Sequence, residues 1–242
     1  MTILLLETAT AVCSVALARD GEVLAELHSD QPNAHSSRLP LYVDQLFEQC
    51  HVEPKQLDAV CVSSGPGSYT GLRIGVSSAK GFCYALSIPL LSVPTLQGMA
   101  AQYYAQHPDY HGMVCPMIDA RRMEVYAAVY TRALKTVVET DAIVINENSF
   151  KEQLDAHPVY FFGNGAKKCK DILQHPNAHF FDGIKPIAKY MCPLAEKAHA
   201  QERFESVAYF EPFYLKDFVA TKSKKGPLPT SPRGGEKVKS EE

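Results

Sequence analysis

The chain has 242 residues, 46% of them hydrophobic, with a formal net charge of -3 and a sequence pI near 6.3. That is enough apolar material for a sizeable core in one large domain or two small ones, and the near-neutral balance argues against nucleic acid binding through bulk charge. The seven cysteines are odd in number, with no C-x-x-C pair and no tight Cys/His cluster; Cys13, Cys61 and Cys115 sit inside apolar runs. They read as reduced, mostly buried thiols of a cytoplasmic protein. The opening "MTILLLETATAVCSVALARDG" lacks the basic n-region of a signal peptide, and Glu7 interrupts its apolar run. No segment reaches the ~18 apolar residues of a membrane span.

In chain order, "ILLLETAT" predicts a strand and a turn. "CSVALARDGEVLAELHSD" predicts a hairpin about Asp20-Gly21. Leu39, Val43, Leu46, Phe47 and Cys50 recur at helical spacing, and Pro40 fits only a first turn, so a helix is predicted to begin near Ser37 to Leu39. "LDAVCVSS", "TGLRIGVSSAKGFCYALS", "PLLSV" and "TLQGMAAQYYAQH" then alternate strand and helix, the last ended by Pro108. The second half opens with three strands within "MVCPMIDARRMEVYAAVYTRA" and "TVVETDAIVI". A short helix capped by Ser149 follows. "VYFFGNGAKKCKDILQ" reads as strand, glycine turn and helix, and "PIAKYMCPLAEKAHAQ" as a helix kinked or broken by Pro193.

The two halves share one order of elements. An acid closes the first strand of each, Glu7 in "LLLETA" and Asp119 in "PMIDAR", and a glycine turn recurs as "SSGPGS" and "FFGNGA". A duplicated unit of this kind predicts an α/β protein of two lobes, each a mixed sheet with flanking helices, facing across a cleft. The predicted lobes are residues 1–105 and 106–222. From Ser223 the composition turns to Pro, Gly, Lys, Ser and Glu, and residues 223–242 read as a disordered tail.

The turn Gly65-Pro66-Gly67-Ser68-Tyr69-Thr70-Gly71 is not a P-loop, because no Gly-Lys-Ser/Thr follows, and its third glycine is one position late for a dinucleotide fingerprint. Its amides suit an anion at the head of a helix; the alternative is a tight strand-to-helix joint. Beyond it, Gly71, Gly75, Ala79 and Cys83 form one strip of small residues, which lets another backbone approach closely. Leu72, Ile74, Val76, Phe82 and Leu86 spread apolar bulk over the other faces, so the helix is expected to be buried on more than one side, one of them against another chain.

The runs "SSGPGSYTGLRIGVSSAKGF", "LSVPTLQGMA" and "MIDARRMEVYAAVY", with the ends "ILLLETATAVCSVAL" and "PFYLKDFVA", closely resemble the TsaB (YeaZ) family of bacterial tRNA threonylcarbamoyladenosine biosynthesis proteins. The resemblance covers about residues 1 to 222. It implies an actin/hexokinase-like (ASKHA) fold with RNase H-like lobes. It also implies a role in forming N6-threonylcarbamoyladenosine (t6A) at position 37 of tRNAs that read codons beginning with adenine. It implies a non-catalytic scaffold, without cofactor or metal of its own, that pairs with the transferase TsaD and works with the ATPase TsaE. Alone, such a chain forms a homodimer through the same surface, and tRNA is met only through the complex. The expected contact uses the first two helices, with Leu39, Tyr42 and Leu46 from the first and Gly71, Leu72, Ile74, Gly75, Ala79 and Phe82 from the second.

Several residues bear on that reading. Where the paralogue carries two metal-binding histidines this chain has Thr95 and Met99, poor ligands for a hard or borderline metal. His107 and His111 stand four apart, but Pro108 between them predicts a surface loop rather than one helical face. Glu7 stands where most of the family has Asp, and Glu7, Thr8, Thr10, Gly65, Gly67 and Asp119 are the candidates for any phosphate or Mg²⁺ contact. The charges of Asp119, Arg121, Arg122 and Glu124 either line the cleft or pair with one another. Two enzyme readings compete: an ATP-dependent small-molecule kinase of the same superfamily, and a metallopeptidase. The kinase needs two intact phosphate turns and a catalytic acid; the peptidase needs an H-E-x-x-H, a G-x-S-x-G or a Cys/His pair, none of which is present.

Overall fold

A computed structural model describes residues 1–31 and 35–216. The tail read from residue 223 onward lies outside the described residues. The first sheet is built from β1 (Thr2–Glu7), β2 (Cys13–Arg19), β3 (Glu22–Ser29), β4 (Ala59–Ser63) and β5 (Leu90–Val93), in the order β3-β2-β1-β4-β5. β1 pairs antiparallel with β2 (Leu5 opposite Ala16) and parallel with β4 (Leu5 opposite Cys61). Its six residues are all buried, as expected of a central strand covered on both faces. Asp20 and Gly21 both take left-handed φ, 50° and 84°, and make the tight turn between β2 and β3.

The second sheet repeats the first. β6 (Met113–Asp119), β7 (Glu124–Tyr130), β8 (Thr136–Val144), β9 (Val159–Phe162) and β10 (Ala178–Phe181) stand in the order β10-β9-β6-β7-β8, with β6 antiparallel to β7 and parallel to β9. Two sheets of the same mixed topology, each with its acid-ended strand at the centre, make the actin/hexokinase-like architecture that the duplicated pattern predicted.

The helices are α1 (His35–Cys50), α2 (Tyr69–Leu86), α3 (Thr95–Gln106), α4 (Lys151–Ala156) and α5 (Cys192–Ala200). α1 and α2 cover one face of the first sheet, packing Leu39, Val43, Leu46, Val76 and Ala79 on Leu4, Leu6, Val60 and Val62. The other face is covered by α5 and the short 3-10 turn before it: Ala188, Met191, Cys192 and Ala195 lie on Ile3, Leu5 and Leu91. α3 crosses in the opposite sense, placing Leu96, Met99 and Tyr103 against Val114, Ile118 and Phe162 of the second sheet. The helices therefore trade sheets at the junction, and a division of lobes at residue 105 follows the chain but not the packing.

Other local expectations shift. α1 begins at His35, so Pro40 lies inside the helix, one turn later than its ring prefers. Ser149 does not cap α4; its hydroxyl accepts from the Asn146 amide, and Phe150, at φ 61°, precedes the helix. Pro193 stands at a break, as one of its two expected effects: a 3-10 turn ends at Met191, and Pro193 lies in the first turn of α5, where its missing N–H costs nothing. "GNGAKKCK" winds only a 3-10 turn at Lys167–Cys169, and the edge strand β10 beyond it was not predicted.

Candidate functional site

The ends of β1 and β6 and the heads of α1 and α2 surround a cleft of about 880 Å³ between the lobes. One wall carries Thr10, His35, Gly67, Tyr69, Thr70 and Ile74. The other carries Asp119, Arg121, Arg122, Glu124, Tyr126 and Asn164, and Phe213 to Lys216 close one side. Thr10, Gly67 and Asp119 thus meet in one space, while Glu7, Thr8 and Gly65 lie behind the wall.

Glu7 is 2% exposed and its carboxylate turns back into the lobe. Its Oε1 accepts from the Ala9 amide at 2.7 Å and from Ser63 Oγ at 3.0 Å. Burial pushes its pKa up to about 7 against the pull of those bonds. Thr8 is fully buried and Thr10 Oγ1 accepts from the Val12 amide within its own turn. Asp119 is exposed but engaged: Lys168 Nζ donates to its Oδ1, and the Arg121 amide donates to the same oxygen at 2.9 Å. Partial burial opposes its ionisation; Lys168, the Arg121 amide and the Arg121 charge outweigh it and hold the carboxyl below its usual value.

The glycine turn is spent on packing. The Ser68 amide donates to the Ala9 carbonyl at 2.6 Å, and the Gly71 amide is capped by Ser68 Oγ at 3.3 Å. A Cβ at Gly67 would overlap the Ala9 carbonyl, one at Gly71 the Thr8 carbonyl, and one at Gly75 the Thr8 hydroxyl. Gly65, at φ 108°, turns the chain out of β4, and a Cβ there would lie 2.7 Å from the Phe213 carbonyl oxygen.

This corrects the expected partner surface. Gly71, Leu72, Gly75 and Ala79 are buried on the protein's own first sheet, and the small strip exists so that the exit of β1 can cross beneath α2. Leu39 and Leu46, 1% and 0% exposed, belong to the same core. Of the nine expected residues only Tyr42, Ile74 and Phe82 keep open area. A second row on α2 was missed: Ile74, Ser78, Gly81 and Ala85 run along the flank next to that strip, from Ile74, half-buried against the core, to Gly81, where nothing lies within 4 Å of a Cβ. Leu41 of α1 and Tyr84 of α2 are 59% and 83% exposed. The sequence held the signal, since i, i+4, i+7 spacing recurs there too.

Thr95 and Met99 sit in the core, the Met99 methyl packed against Gly163. Among the described residues no group of three His, Cys, Asp or Glu side chains could hold a metal ion. His107 is not in a plain surface loop: its ring stacks on Tyr103 at 4.2 Å and meets Phe181 edge-on, while His111 is exposed. No helix among the described residues is long and apolar enough to cross a membrane. Six of the seven cysteines are buried and all are free thiols.

A family model described as TsaD, tRNA N6-adenosine threonylcarbamoyltransferase, matches residues 22–224. The protein TsaB of Bacillus subtilis is 34% identical over 72% of this chain and 76% of its own length. TsaB of Escherichia coli is 32% identical over 93% of this chain and 99% of its own length. The solved structure of YeaZ from Pseudomonas aeruginosa superposes with a TM-score of 0.78 at 28% identity, covering 88% of this chain and 99% of that one. The chain belongs to the broad family that model describes and, within it, to the TsaB (YeaZ) family of tRNA threonylcarbamoyladenosine biosynthesis proteins.

Proposed function

We propose that this chain is a non-catalytic scaffold in t6A formation at position 37 of tRNAs reading codons that begin with adenine. It pairs with the transferase TsaD, works beside the ATPase TsaE in the cytoplasm, and self-associates through the same face when alone. The observation that carries this reading is the division of labour in α2. Its inner face is consumed by its own sheet, while its more open side presents Ser78, Gly81 and Tyr84, and α1 adds the exposed Leu41. An apolar face with a shallow centre suits the close approach of another helix pair. The cleft supports the same reading. Glu7 is turned inward, Asp119 is held by Lys168, and the turn amides at Ser68 and Gly71 are already bonded. That leaves little of what a kinase needs to hold Mg²⁺ and a polyphosphate.

The test is co-purification with TsaD, comparing wild type with Gly81→Arg. The substitution adds a long cation where the structure leaves open space and replaces a helix-interior glycine, so the fold is retained. Loss of TsaD and of the homodimer by the folded variant is expected. Unchanged TsaD binding would refute this surface.

A further inference from the structure

We propose that the Arg121–Arg122 turn at the cleft mouth contacts the phosphodiester backbone of RNA, giving this chain a contact of its own with the tRNA substrate. Both arginines take left-handed φ, 71° and 50°, where Asn and Gly are the favoured residues. Lys168 holds the turn in this form, its Nζ donating to the carbonyl oxygens of Arg122 and Glu124 at 2.6 and 2.7 Å. Both side chains are exposed and line the cleft. Among the described residues neither guanidinium closes an ion pair; the acids beside them are taken, Asp119 by Lys168 and Glu124 by Lys216. Two long cations are thus presented at a mouth whose negative charges are already neutralised.

The occupant is argued from what the cleft still offers. With the Ser68 and Gly71 amides bonded, Glu7 turned inward and Asp119 held by Lys168, the cleft offers little to a free polyphosphate. Open cations on a rim are what a phosphodiester chain meets. Phe213, 46% exposed on the same rim, offers a face on which an unpaired base can stack. Lys216 also lines the cleft, and the sequence after residue 221 carries Lys222, Lys224, Lys225, Arg233, Lys237 and Lys239 against three glutamates. The phosphate chemistry stands without the proposed scaffold role; the choice of tRNA rests on it.

The experiment measures binding of a fluorescein-labelled tRNA reading an adenine-first codon, by anisotropy from about 50 to 200 mM salt. It compares full-length wild type with Arg121→Asn/Arg122→Gly, which removes both charges and supplies the residues this turn prefers, so it folds at least as well. The variant is expected to bind roughly 5- to 10-fold more weakly, with a log–log salt slope shallower by about 1 to 2, one per lost phosphate contact. Truncation after Thr221 is expected to weaken binding further, and excess ATP to leave the wild-type complex intact. Equal affinity and slope for wild type and turn variant would overturn the proposal. So would a loss seen only on truncation, or displacement of the RNA by ATP, which would make the cleft a mononucleotide site. TsaD co-purification on the same samples reports the scaffold reading separately, so either idea can fail without the other.

Discussion

At Glu7 a carboxyl group is kept where its charge is expensive. Its pKa of about 7 against an ordinary 4.5 means that the folded state binds the proton more tightly than the unfolded chain. Stability therefore falls as pH rises from 4.5 to 7 and stays low above it, by about 3 kcal/mol in all. Glu7→Gln keeps the acceptor for the Ala9 amide and Ser63 hydroxyl but cannot ionise. The variant should melt well above wild type at pH 8 and close to it at pH 4.5. An equal offset at both pH values would mean that folding does not raise the Glu7 pKa. The residue type at this position was legible in the sequence, as the acid ending a strand. Its inward orientation was not, because it depends on Ser63 from a strand that is distant in sequence.

At the scale of the element, α2 shows how far spacing can be read. Its small strip was plain in the sequence, and so was its meaning of close backbone approach. Which backbone approached was not, because Gly75 meets Thr8, some sixty-seven positions earlier, and only the β1–β4 pairing brings them together. Gly75 and Gly81 therefore separate inner from outer face. Gly75→Ala puts a methyl into the Thr8 hydroxyl and should cost about 1–3 kcal/mol despite better helix propensity. Gly81→Ala meets open space and should add about 0.5–1 kcal/mol. Chemical denaturation of the two variants decides it; shifts of the same sign would contradict the assigned orientation. Elements with strong periodicity, such as α1 to α3 and β6 to β8, were readable. "GNGAKKCK" was not, since its Cys169 and Ala166 are fixed by packing under the second sheet rather than by helical propensity.

At the scale of the molecule, the C-terminal segment ties the halves together. Glu205 pairs with Leu90 at the edge of the first sheet, Lys80 of α2 donates to the carbonyls of Ala208 and Phe210, and the Phe213 amide donates to the Ser64 carbonyl at 2.7 Å. Tyr214 then packs on Tyr69 at 4.8 Å, and Lys216 pairs with Glu124 of the second sheet. The duplication was visible as a repeated order of elements, but this return path was not, because it follows no periodic pattern. Cutting after Pro212 should lower the melting temperature by several degrees through loss of the Phe213, Tyr214 and Lys216 contacts, whereas cutting after Lys222 should leave it nearly unchanged. Equal melting of the two truncations would show that the strap contributes nothing.

In the proposed role the chain supports t6A formation by holding TsaD through the outer face of α1 and α2, with no chemistry in its own cleft. The most direct measurement is t6A formed on tRNA by purified TsaD and TsaE supplied with a threonylcarbamoyl donor, with this chain omitted, added as wild type, or added as Gly81→Arg or Glu7→Gln. No product is expected without the chain or from the chain alone, full product with wild type and with Glu7→Gln, and loss with Gly81→Arg in step with loss of TsaD binding. Product from the isolated chain, abolition by Glu7→Gln in a folded protein, or full activity of Gly81→Arg would contradict it.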